Sequence, residues 1–326
     1  MRSKAISVSP EQGEAVRRRL ASEGLLLTGA RMKRKEGVLL IPVSDYPEWI
    51  PDAQRQEGEF EVRVKGGYRE RVDIDEKLRA LLPSSFDIIG NKALIKLPHE
   101  IESYGEEIGR AIMETHPPVN SVFQDLGVSG PFRIRSVRLL AGDETTETEV
   151  SEYGMKFRVD VSKTFFSPRL AEERKRVFEA CRRGERVLDM FAGVGPFSIS
   201  VARKAAEVVA LDVNPYAVSY CRENCYLNHI NNVRPYLRDA AEFSDGKFDR
   251  IIMNLPMTGS DYLENAKYLL EKEGRIDFYS HIHDSALHAK IWELRMRHGL
   301  RVLSHRKVKS YSPLSSIYHL ELALQN

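Results

Sequence analysis

Along the second half of the chain, short apolar runs alternate with segments whose apolar residues recur at helical spacing. From about residue 165 the apolar runs are RVLDMF, EVVALDV, VRPYL, FDRIIMN, RIDFYS, LRVLSHRKV and SIYHLELAL. Helical spacing fits residues 196–205, 215–228, 262–271 and 283–298, with a shorter turn at 239–244. Strands that alternate with helices predict an α/β fold with a doubly wound, mostly parallel sheet. The last two strands have no helix between them, so we expect them to form an antiparallel hairpin at one edge.

The first half of the chain contains two smaller units that mix helix and strand. Residues 1–65 comprise a helix at 11–24, two strands joined by a basic loop in LLLTGARMKRKEGVLLIPV, and a last strand, FEVRV. The glycines and charges of GGYRER mark a linker, and residues 71–160 follow as a second α+β unit. This unit contains KLRALLPSSFDIIGNKALIKLP, a helix from about 101 to 115 and a run of antiparallel strands. The parallel sheet then occupies residues 161–326.

Charge is spread unevenly along the chain, although the net charge is only +2. Residues 1–40 carry nine Lys or Arg and four Glu, a local excess of +5, with clusters at 17–19 and 31–35. Such clusters are as typical of a solvated surface as of one that contacts phosphates. No apolar run approaches the roughly 18 residues of a membrane span, and the N-terminus lacks the apolar core of a secretory signal. The three cysteines form no disulfide framework, so we expect a reducing, cytoplasmic setting and no membrane association.

The segment LDMFAGVGPFSI places a carboxylate, Asp189, directly in front of a turn that contains Gly193 and Gly195. A dinucleotide-binding turn has a third glycine where this chain has Ser198, and Asp189 would repel a pyrophosphate. S-adenosylmethionine carries a sulfonium and an ammonium group and no phosphate, so a carboxylate suits it. The glycines let a ligand approach the backbone closely. The turn therefore predicts an S-adenosylmethionine site at the end of the first strand.

Two further carboxylates follow the next two strands of this half. Asp212, with Val213 beside it, closes the second strand and is expected to accept hydrogen bonds from the ribose hydroxyls. Asp239 and the adjacent Ala240 follow the third strand and are expected to meet the adenine, while Phe191 packs against the same ligand. Each Asp by itself is also typical of a turn or a helix cap. Three carboxylates at three consecutive strand ends favour the methyl-donor site.

The fourth strand ends in Asn254, Leu255 and Pro256. An Asn amide can accept from a base N–H and donate to a base oxygen, and Pro256 would hold that geometry rigid. The same three residues also suit a plain strand end, because proline restricts the residue before it. We interpret the segment as an element that contacts a base whose nitrogen is methylated. The nearby SHIHD, with His281 and His283, is expected to form a polar loop and no metal site.

Several long segments resemble the archaeal and eukaryotic tRNA (guanine-37-N1)-methyltransferases over about residues 75–326. They are FFSPRLAEERKRV, VLDMFAGVGPFSI, LDVNPYAV, IIMNLP, RKVKSYSP and LLPSSFDIIGNKALIKLP. The first 65 residues are similar in type, a small basic domain. The resemblance implies a Rossmann-like methyltransferase domain preceded by an RNA-positioning domain and an N-terminal domain that contacts the outer corner of the tRNA. It further implies transfer of a methyl group from S-adenosylmethionine to N1 of guanine 37, by a monomer with no obligate protein partner.

The same resemblance assigns roles to individual residues. Glu173 falls where the family has its proton acceptor, and Arg174 falls where the family contacts the carboxylate of the donor. Arg133, with Arg135 close by, falls where an Arg engages the target guanine. Guanine N1 carries a proton at neutral pH, so a carboxylate that accepts it and an Arg that stabilises the resulting charge are suitable residue types. Phe165 stands where the family often has Tyr, so one hydroxyl is missing.

Three other functions remain open on the sequence. A related transferase of the wybutosine pathway moves the aminocarboxypropyl arm of the same cofactor, but it lacks Asn-Leu-Pro at the fourth strand. A bifunctional family member also methylates a tricyclic guanine derivative, which the Phe at position 165 leaves open. A non-catalytic tRNA-binding protein would keep the fold without the chemistry, and the intact Asp189, Glu173 and Asn254 argue against it.

Overall fold

The computed structural model describes residues 2–27, 29–60, 66–130, 132 and 134–325. The chain forms two compact units, Met1–Val72 and Asp73–Asn326. Among the helices of the described residues, none combines the length and the apolar composition that a membrane crossing requires.

The first unit is a four-stranded antiparallel sheet with one helix. Its elements are β1 (Arg2–Val8), α1 (Gly13–Ser22), β2 (Lys33–Lys35), β3 (Val38–Val43) and β4 (Arg55–Glu59). The strand order is β2-β3-β1-β4, with every neighbouring pair antiparallel. Leu20 of α1 packs on Ile6 and Ile41 and closes the core of this unit.

The basic segment of the first unit is part of the sheet, whereas the sequence pattern predicts a loop. Its strand, β2, joins β3 through Glu36 and Gly37, whose φ angles are 51° and 84°. Two consecutive positive φ angles are typical of a tight hairpin turn. The sequence pattern also misses β1, which pairs with β3 and β4 on its two sides. The predicted strand FEVRV runs into residues 61–65, which lie outside the described part of the chain.

The second unit begins with a sheet of order β5-β6-β7-β8. The elements here are α2 (Glu76–Arg79), β5 (Asp87–Ile89), β6 (Lys92–Ile95), α3 (Gly105–Thr115), β7 (Ser121–Ser129) and β8 (Ile134–Gly142). Strands β6 and β7 are parallel, and the other neighbours are antiparallel. Helix α3 begins at Gly105 rather than near 101, because residues His99–Tyr104 form a tighter 3₁₀ segment after Pro98.

A seven-stranded sheet organises the rest of the second unit. Its elements, with one flanking hairpin, are β9 (Glu147–Glu152), β10 (Met155–Asp160), α4 (Ala171–Ala180), β11 (Arg186–Asp189), α5 (Pro196–Ala202), β12 (Glu207–Asp212), α6 (Pro215–Leu227), β13 (Val233–Leu237), β14 (Phe248–Met253), α7 (Leu263–Leu269), β15 (Leu270–His283), α8 (Leu287–His298), β16 (Leu300–Ser312) and β17 (Ser315–Leu324). The strand order is β13-β12-β11-β14-β15-β17-β16, in which the first five strands are parallel and β17 is antiparallel to both neighbours. The α/β fold class predicted from the sequence, with a doubly wound sheet and an antiparallel edge hairpin, is therefore confirmed.

Helices cover both faces of this sheet. Helices α4, α5 and α6 pack on one face and α7 and α8 on the other. Successive strand residues point to opposite faces, so Val187 enters the first core and Leu188 the second. Asp189 follows in this alternation and faces α5. The hairpin β9–β10 packs beside α6, where Asn224 Oδ1 accepts the backbone N–H of Arg158 at 2.6 Å.

Each of the two helices that flank β15 has a boundary shifted from the predicted one by strand pairing. Helix α7 ends at Leu269 rather than 271, because Leu270 already pairs with Phe248 as the first residue of β15. Helix α8 begins at Leu287 rather than 283, because His283 still pairs with Ser315 of β17. Pairing with distant strands therefore lengthens β15 at both ends.

Candidate active site

The carboxyl ends of four adjacent parallel strands form one edge of the sheet. Their spatial order is β13, β12, β11 and β14. Strands β12 and β11 end in Asp212 and Asp189, while Asp239 and Asn254 come just after β13 and β14. From β11, the chain first continues to one side of the sheet, through β12 and β13, and then to the other side, through β14 and β15. Ligands of doubly wound sheets bind at such a reversal of strand order. Residues that are 65 positions apart in sequence therefore meet at neighbouring strand ends, which lie about 5 Å apart.

Asp189 is the most deeply buried group of this edge, with no exposed surface. Its Oδ2 accepts a hydrogen bond of 2.7 Å from the hydroxyl of Ser198 on α5. Its Oδ1 is buried and has no hydrogen-bond partner within the ranges that the structure describes. Burial raises the pKa of Asp189 to about 7, against the opposing hydrogen bond from Ser198. Such a carboxylate is poised to accept a positively charged neighbour.

The glycine turn links the first two strand ends directly. The backbone N–H of Gly193 donates to Oδ2 of Asp212 at 2.7 Å, and Gly193 adopts a positive φ of 55°. Gly195 has a φ of 86°, and a Cβ at this position would lie 2.6 Å from Sγ of Cys221. Both positions are therefore restricted to glycine, the first mainly by its backbone conformation and the second also by space. Helix α5 begins immediately afterwards with Pro196, which suits the first helical position.

Asp212 is anchored by two backbone donors. Besides Gly193, the N–H of Asn214 donates to its Oδ1 at 2.8 Å. Burial raises the pKa of Asp212, while these backbone hydrogen bonds act in the opposite direction. The side chain of Val213 is 40% exposed directly beside it. A carboxylate with both oxygens already oriented by the backbone offers its remaining lone pairs in a fixed direction.

The residues predicted to meet the adenine lie further along the same edge. Asp239 Oδ1 accepts the N–H of Ala241 at 2.9 Å. This hydrogen bond is typical of an Asp in a turn, which is the alternative role that the sequence allows for this residue. Ala240 is buried, and its carbonyl oxygen accepts from the side chain of Asn265. Phe191 packs edge-to-face on Tyr262, with 5.0 Å between the ring centroids.

The segment after β14 is fixed by the next strand. The carbonyl oxygen of Pro256 accepts the backbone N–H of His281 at 2.8 Å. The ring of His281 lies 4.6 Å from the ring of the exposed Tyr311, and its Nε2 is 2.8 Å from Oγ of Ser315. Asn254, two residues before Pro256, is partly exposed at the end of β14. Throughout the described residues, no group of three or more His, Cys, Asp or Glu side chains is placed to hold a metal ion.

Glu173 of α4 is a buried carboxylate, 2% exposed, and three elements contribute its partners. Oε2 accepts from Nε of Arg176 at 3.1 Å and from the hydroxyl of Tyr279 at 3.1 Å. Oε1 forms an ion pair of 2.7 Å with Nη2 of Arg306 on β16. Because Met253 pairs with Phe278 in the sheet, Tyr279 lies level with Asn254. The hydroxyl of Tyr279 therefore connects Glu173 to the strand that neighbours the end of β14.

A network of buried charges lies beneath Glu173. Nη2 of Arg176 is 3.5 Å from Oδ1 of Asp277, and Nε2 of His319 is 2.8 Å from the same oxygen. Arg250 donates to Oδ2 of Asp277 at 2.6 Å. Burial alone would raise the pKa of Asp277, but the bond to His319 and the charge of Arg250 lower it well below its usual range. The network therefore holds Arg176 and Tyr279 against the lower side of Glu173.

Arg174, the neighbour of Glu173, is engaged elsewhere. Its guanidinium donates to both oxygens of Glu152, at 2.7 and 2.5 Å, and to the carbonyl of Ser167 at 3.1 Å. It also lies 4.9 Å from the ring centroid of Phe166 and is 1% exposed. The structure thus brings Arg174 into contact with the β9 strand and not with the strand ends.

Three other residues were named from the sequence: Arg133, Arg135 and Phe165. Arg133 lies outside the described residues. Arg135, the alternative, is largely buried and 3.8 Å from Asp125. Phe165 is 46% exposed, and its carbonyl oxygen is the nearest atom, at 3.7 Å, to a Cβ placed on Gly193. The segment that carries Phe165 therefore borders the glycine turn.

The sequence analysis assigned no role to four residues of the site, which are Ser198, Arg176, Tyr279 and Arg306. Ser198 occupies the position of the absent third glycine, and its hydroxyl binds Asp189. The spacing of three between Glu173 and Arg176 on a helix predicts their contact, so this pair could have been found. Tyr279 and Arg306 are more than 100 residues from Glu173, and no local pattern links them to it.

Three ranges of the chain match known protein families. Residues 148–301 match the TRM5/TYW2 methyltransferase domain. Residues 69–145 match the TYW2 N-terminal domain, and residues 5–49 match the tRNA methyltransferase 5 N-terminal domain.

Two archaeal relatives are similar over nearly the whole chain. The tRNA (guanine(37)-N(1))-methyltransferase Trm5b of Pyrococcus abyssi is 43% identical over 316 residues, which is 95% of each chain. The protein of the same name from Methanocaldococcus jannaschii is 31% identical over 98% of each chain.

Three solved structures are also similar. The crystal structure of Trm5b from Pyrococcus abyssi has a TM-score of 0.75 and 40% identity, and the match covers 99% of this chain and all of that one. A complex of aTrm5 with tRNALeu has a TM-score of 0.75 and 30% identity over 98% of this chain and 99% of that one. A TYW2 from Pyrococcus horikoshii in complex with MeSAdo is more distant, with a TM-score of 0.65 and 28% identity over 78% of this chain and 97% of that one.

Proposed function

The chain belongs to the tRNA (guanine(37)-N(1))-methyltransferase family, and from that premise we propose how its residues divide the work of the reaction. The enzyme transfers a methyl group from S-adenosylmethionine to N1 of guanine 37 in a tRNA. One observation supports the assignment of residues above all. Asp189, Asp212 and Asn254 lie at adjacent strand ends, and the buried Glu173 is linked to the next strand through Tyr279.

The strand ends fit the methyl donor. The buried Oδ1 of Asp189 lacks a partner among the described residues, and a group with a positive centre would satisfy it. Asp212 is held by two backbone N–H groups and has lone pairs left for the ribose hydroxyls. Gly193 and Gly195 keep side chains away from the turn. When bound, S-adenosylmethionine supplies the electrophilic methyl group. Phe191, Val213, Asp239 and Ala240 line the remainder of this edge and are proposed to hold the nucleoside.

The chain itself must remove the proton from guanine N1. We assign this step to Glu173, whose carboxylate accepts a hydrogen bond from Tyr279, the residue level with Asn254 on the neighbouring strand. Asn254 would hold the guanine edge through its amide, with Pro256 keeping the strand end rigid through its bond to His281. Arg133 remains the candidate for stabilising the charge that forms on the guanine oxygen. Arg174 stays a candidate for the donor carboxylate.

The division of the chain into functional parts is likewise a proposal. We assign residues 1–65 to contact with the body of the tRNA, 71–160 to positioning of the RNA and 161–326 to methyl transfer. The three matched families support this order. We further propose that the enzyme acts as a monomer in the cytoplasm, because one chain supplies all the site residues named above and its three cysteines are free and buried.

Nucleoside mass spectrometry tests the function and the role of Glu173 together. An unmodified tRNA transcript is incubated with enzyme and S-adenosylmethionine, and a transcript with adenosine at position 37 serves as control. We expect 1-methylguanosine from the first transcript alone. An aminocarboxypropyl adduct would instead identify the wybutosine-pathway reaction.

The matched variants are Glu173→Gln and Glu172→Gln, which change adjacent residues of one helix, the first buried and the second exposed. We expect Glu173→Gln to lower the single-turnover rate by about 10²–10⁴-fold, which is the usual worth of a positioned general base. Binding of donor and tRNA should be no weaker than in the wild type, because a proton acceptor acts mainly in the transition state. Glu172→Gln should keep the wild-type rate. A wild-type rate in Glu173→Gln would transfer the proton step to another group.

A further inference from the structure

The two oxygens of Glu173 are held in different ways. Oε2 receives hydrogen bonds from Arg176 and Tyr279, both at 3.1 Å. Oε1 faces Nη2 of Arg306 at 2.7 Å, but no donor in the described part of the chain makes an aligned hydrogen bond to it. Alignment is required for a strong hydrogen bond. Oε1 is therefore the oxygen with lone pairs to spare, and Arg306 covers it.

The two guanidinium groups also differ in freedom. Arg176 has a side chain 24% exposed, and it is anchored from below by Asp277 and Tyr279, at 3.5 and 3.3 Å. The side chain of Arg306 is 47% exposed and extends from β16, the outermost strand of the sheet. Water can solvate the guanidinium of Arg306 when it leaves, whereas Arg176 would also lose its contacts with Asp277 and Tyr279. Of the two cations at Glu173, Arg306 is the one that can leave.

The surroundings of Arg306 on its strand suit the binding of an anion. Two lysines lie near Arg306 on this strand: Lys307, whose Nζ pairs with Oδ2 of Asp284 at 3.0 Å, and Lys309. Further along the strand, burial and then the charges of Arg169 and Arg135 lower the pKa of Lys309. An anion near these cations would relieve their mutual repulsion. A guanidinium binds phosphate as readily as carboxylate, so an RNA phosphate can replace Glu173 as the partner of Arg306.

We infer that Arg306 is a positioning residue that covers Oε1 of Glu173 in the free enzyme and moves to an RNA phosphate when the tRNA binds. The movement exposes the oxygen that accepts the N1 proton, and it confines the uncovered base to the complex with RNA. The inference rests on the proposed role of Glu173. It implies that part of the tRNA binding energy is used to separate the two side chains.

A double-mutant cycle on tRNA binding tests this exchange. In Glu173→Gln the charge that holds Arg306 is gone, so Arg306 is free for the phosphate. We expect the affinity for an unmodified tRNA transcript, measured by filter binding, to rise by about two- to fivefold, the worth of a partly exposed ion pair. In the Arg306→Ala background this gain should disappear. Arg301→Ala is the matched control, since Arg301 is an exposed Arg on the same strand, and it should leave the gain intact.

Single-turnover rates distinguish movement of Arg306 to the RNA from a permanent contact between Arg306 and Glu173. Arg306→Ala should weaken tRNA binding and lower the salt dependence of binding by about one phosphate contact. Its rate at saturating tRNA should equal or exceed that of the wild type, because Oε1 no longer needs uncovering. Arg306→Lys, which retains the charge, should recover most of the affinity.

Two results would overturn the inference. The first is an equal tRNA affinity of Glu173→Gln and wild type. The second is an Arg306→Ala enzyme with normal affinity and a saturating rate at least tenfold lower, which would make Arg306 a permanent support of Glu173. Failure of the underlying assignment looks different, since Glu173→Gln would then methylate at the wild-type rate whatever its affinity.

Discussion

The Asp189 carboxyl should make the stability of the second unit fall as the pH rises. Its pKa is about 7 in the folded protein against an ordinary value of 3.8, mainly because it is completely buried. Between these two values the unfolded chain has lost the proton and the folded chain retains it. The folded state then binds more protons, so the free energy of unfolding decreases with pH. The stabilisation is fully present below the ordinary pKa of 3.8 and is lost as the pH rises through about 7.

The size of the effect follows from the shift. One pKa unit corresponds to about 1.4 kcal/mol, so the complete loss is on the order of 4 kcal/mol, and more than half of it falls between pH 5 and 8. Asp189→Asn cannot ionise and keeps an oxygen for the hydroxyl of Ser198. The unfolding free energy of the wild type, relative to that of Asp189→Asn, should therefore decrease by roughly 2–3 kcal/mol over that range. Asp277 does not contribute to this window, because its pKa is lowered and it titrates in acid.

Urea unfolding of the enzyme without donor at several pH values measures this difference. The two tryptophans lie in different units, so fluorescence of Trp292 in a Trp49→Phe background follows the second unit alone. Ser198→Ala serves as a companion variant. It removes a hydrogen bond to the ionised carboxylate, so it should steepen the pH dependence. Two outcomes would refute the account of Asp189. The difference in unfolding free energy between wild type and Asp189→Asn could be independent of pH, or the wild type could become relatively more stable as the pH rises.

Three further predictions concern other parts of the chain. Asp212→Asn should weaken S-adenosylmethionine binding by about 10- to 100-fold in calorimetry while the protein stays folded, because an amide lacks the charge and one of the acceptors; unchanged affinity would remove this residue from the site. Gly195→Ala should cost about 2–5 kcal/mol in urea unfolding, since a Cβ would lie 2.6 Å from Cys221 Sγ at a φ of 86°. Gly299→Ala, at a φ of 61° with no atom within 4 Å among the described residues, should cost only about 1–2 kcal/mol. Arg34→Gln should lower the salt dependence of tRNA binding by about one contact and leave donor affinity unchanged, and an identical salt slope would place this basic cluster away from the RNA.

Much of the second unit can be predicted from the sequence, because its features are local. A strand, a turn and a helix follow one another within about 20 residues, so the alternation of LDMFAGVGPFSI and its successors defines the parallel sheet. The positions of Asp189, Asp212 and Asn254 at one edge also follow locally, since every parallel strand of such a sheet ends on the same side. The chemistry of the donor site was thus determined by residues close to their own strand ends.

The tertiary structure alone decided which partners surround Glu173 and Arg174. Both residues belong to one charged helical segment, AEERKRV, in which nothing distinguishes a buried side chain from an exposed one. Burial of both follows from the packing of α4 against the sheet, where Glu152 pairs with Arg174 and distant strands provide Tyr279 and Arg306 to Glu173. Strand β17 inserts between β15 and β16 and so determines how far Arg306 lies from Glu173. Charged side chains carry no local code for their partners, because an ion pair depends on distance in space and on exclusion of water, and both arise only when the chain is folded.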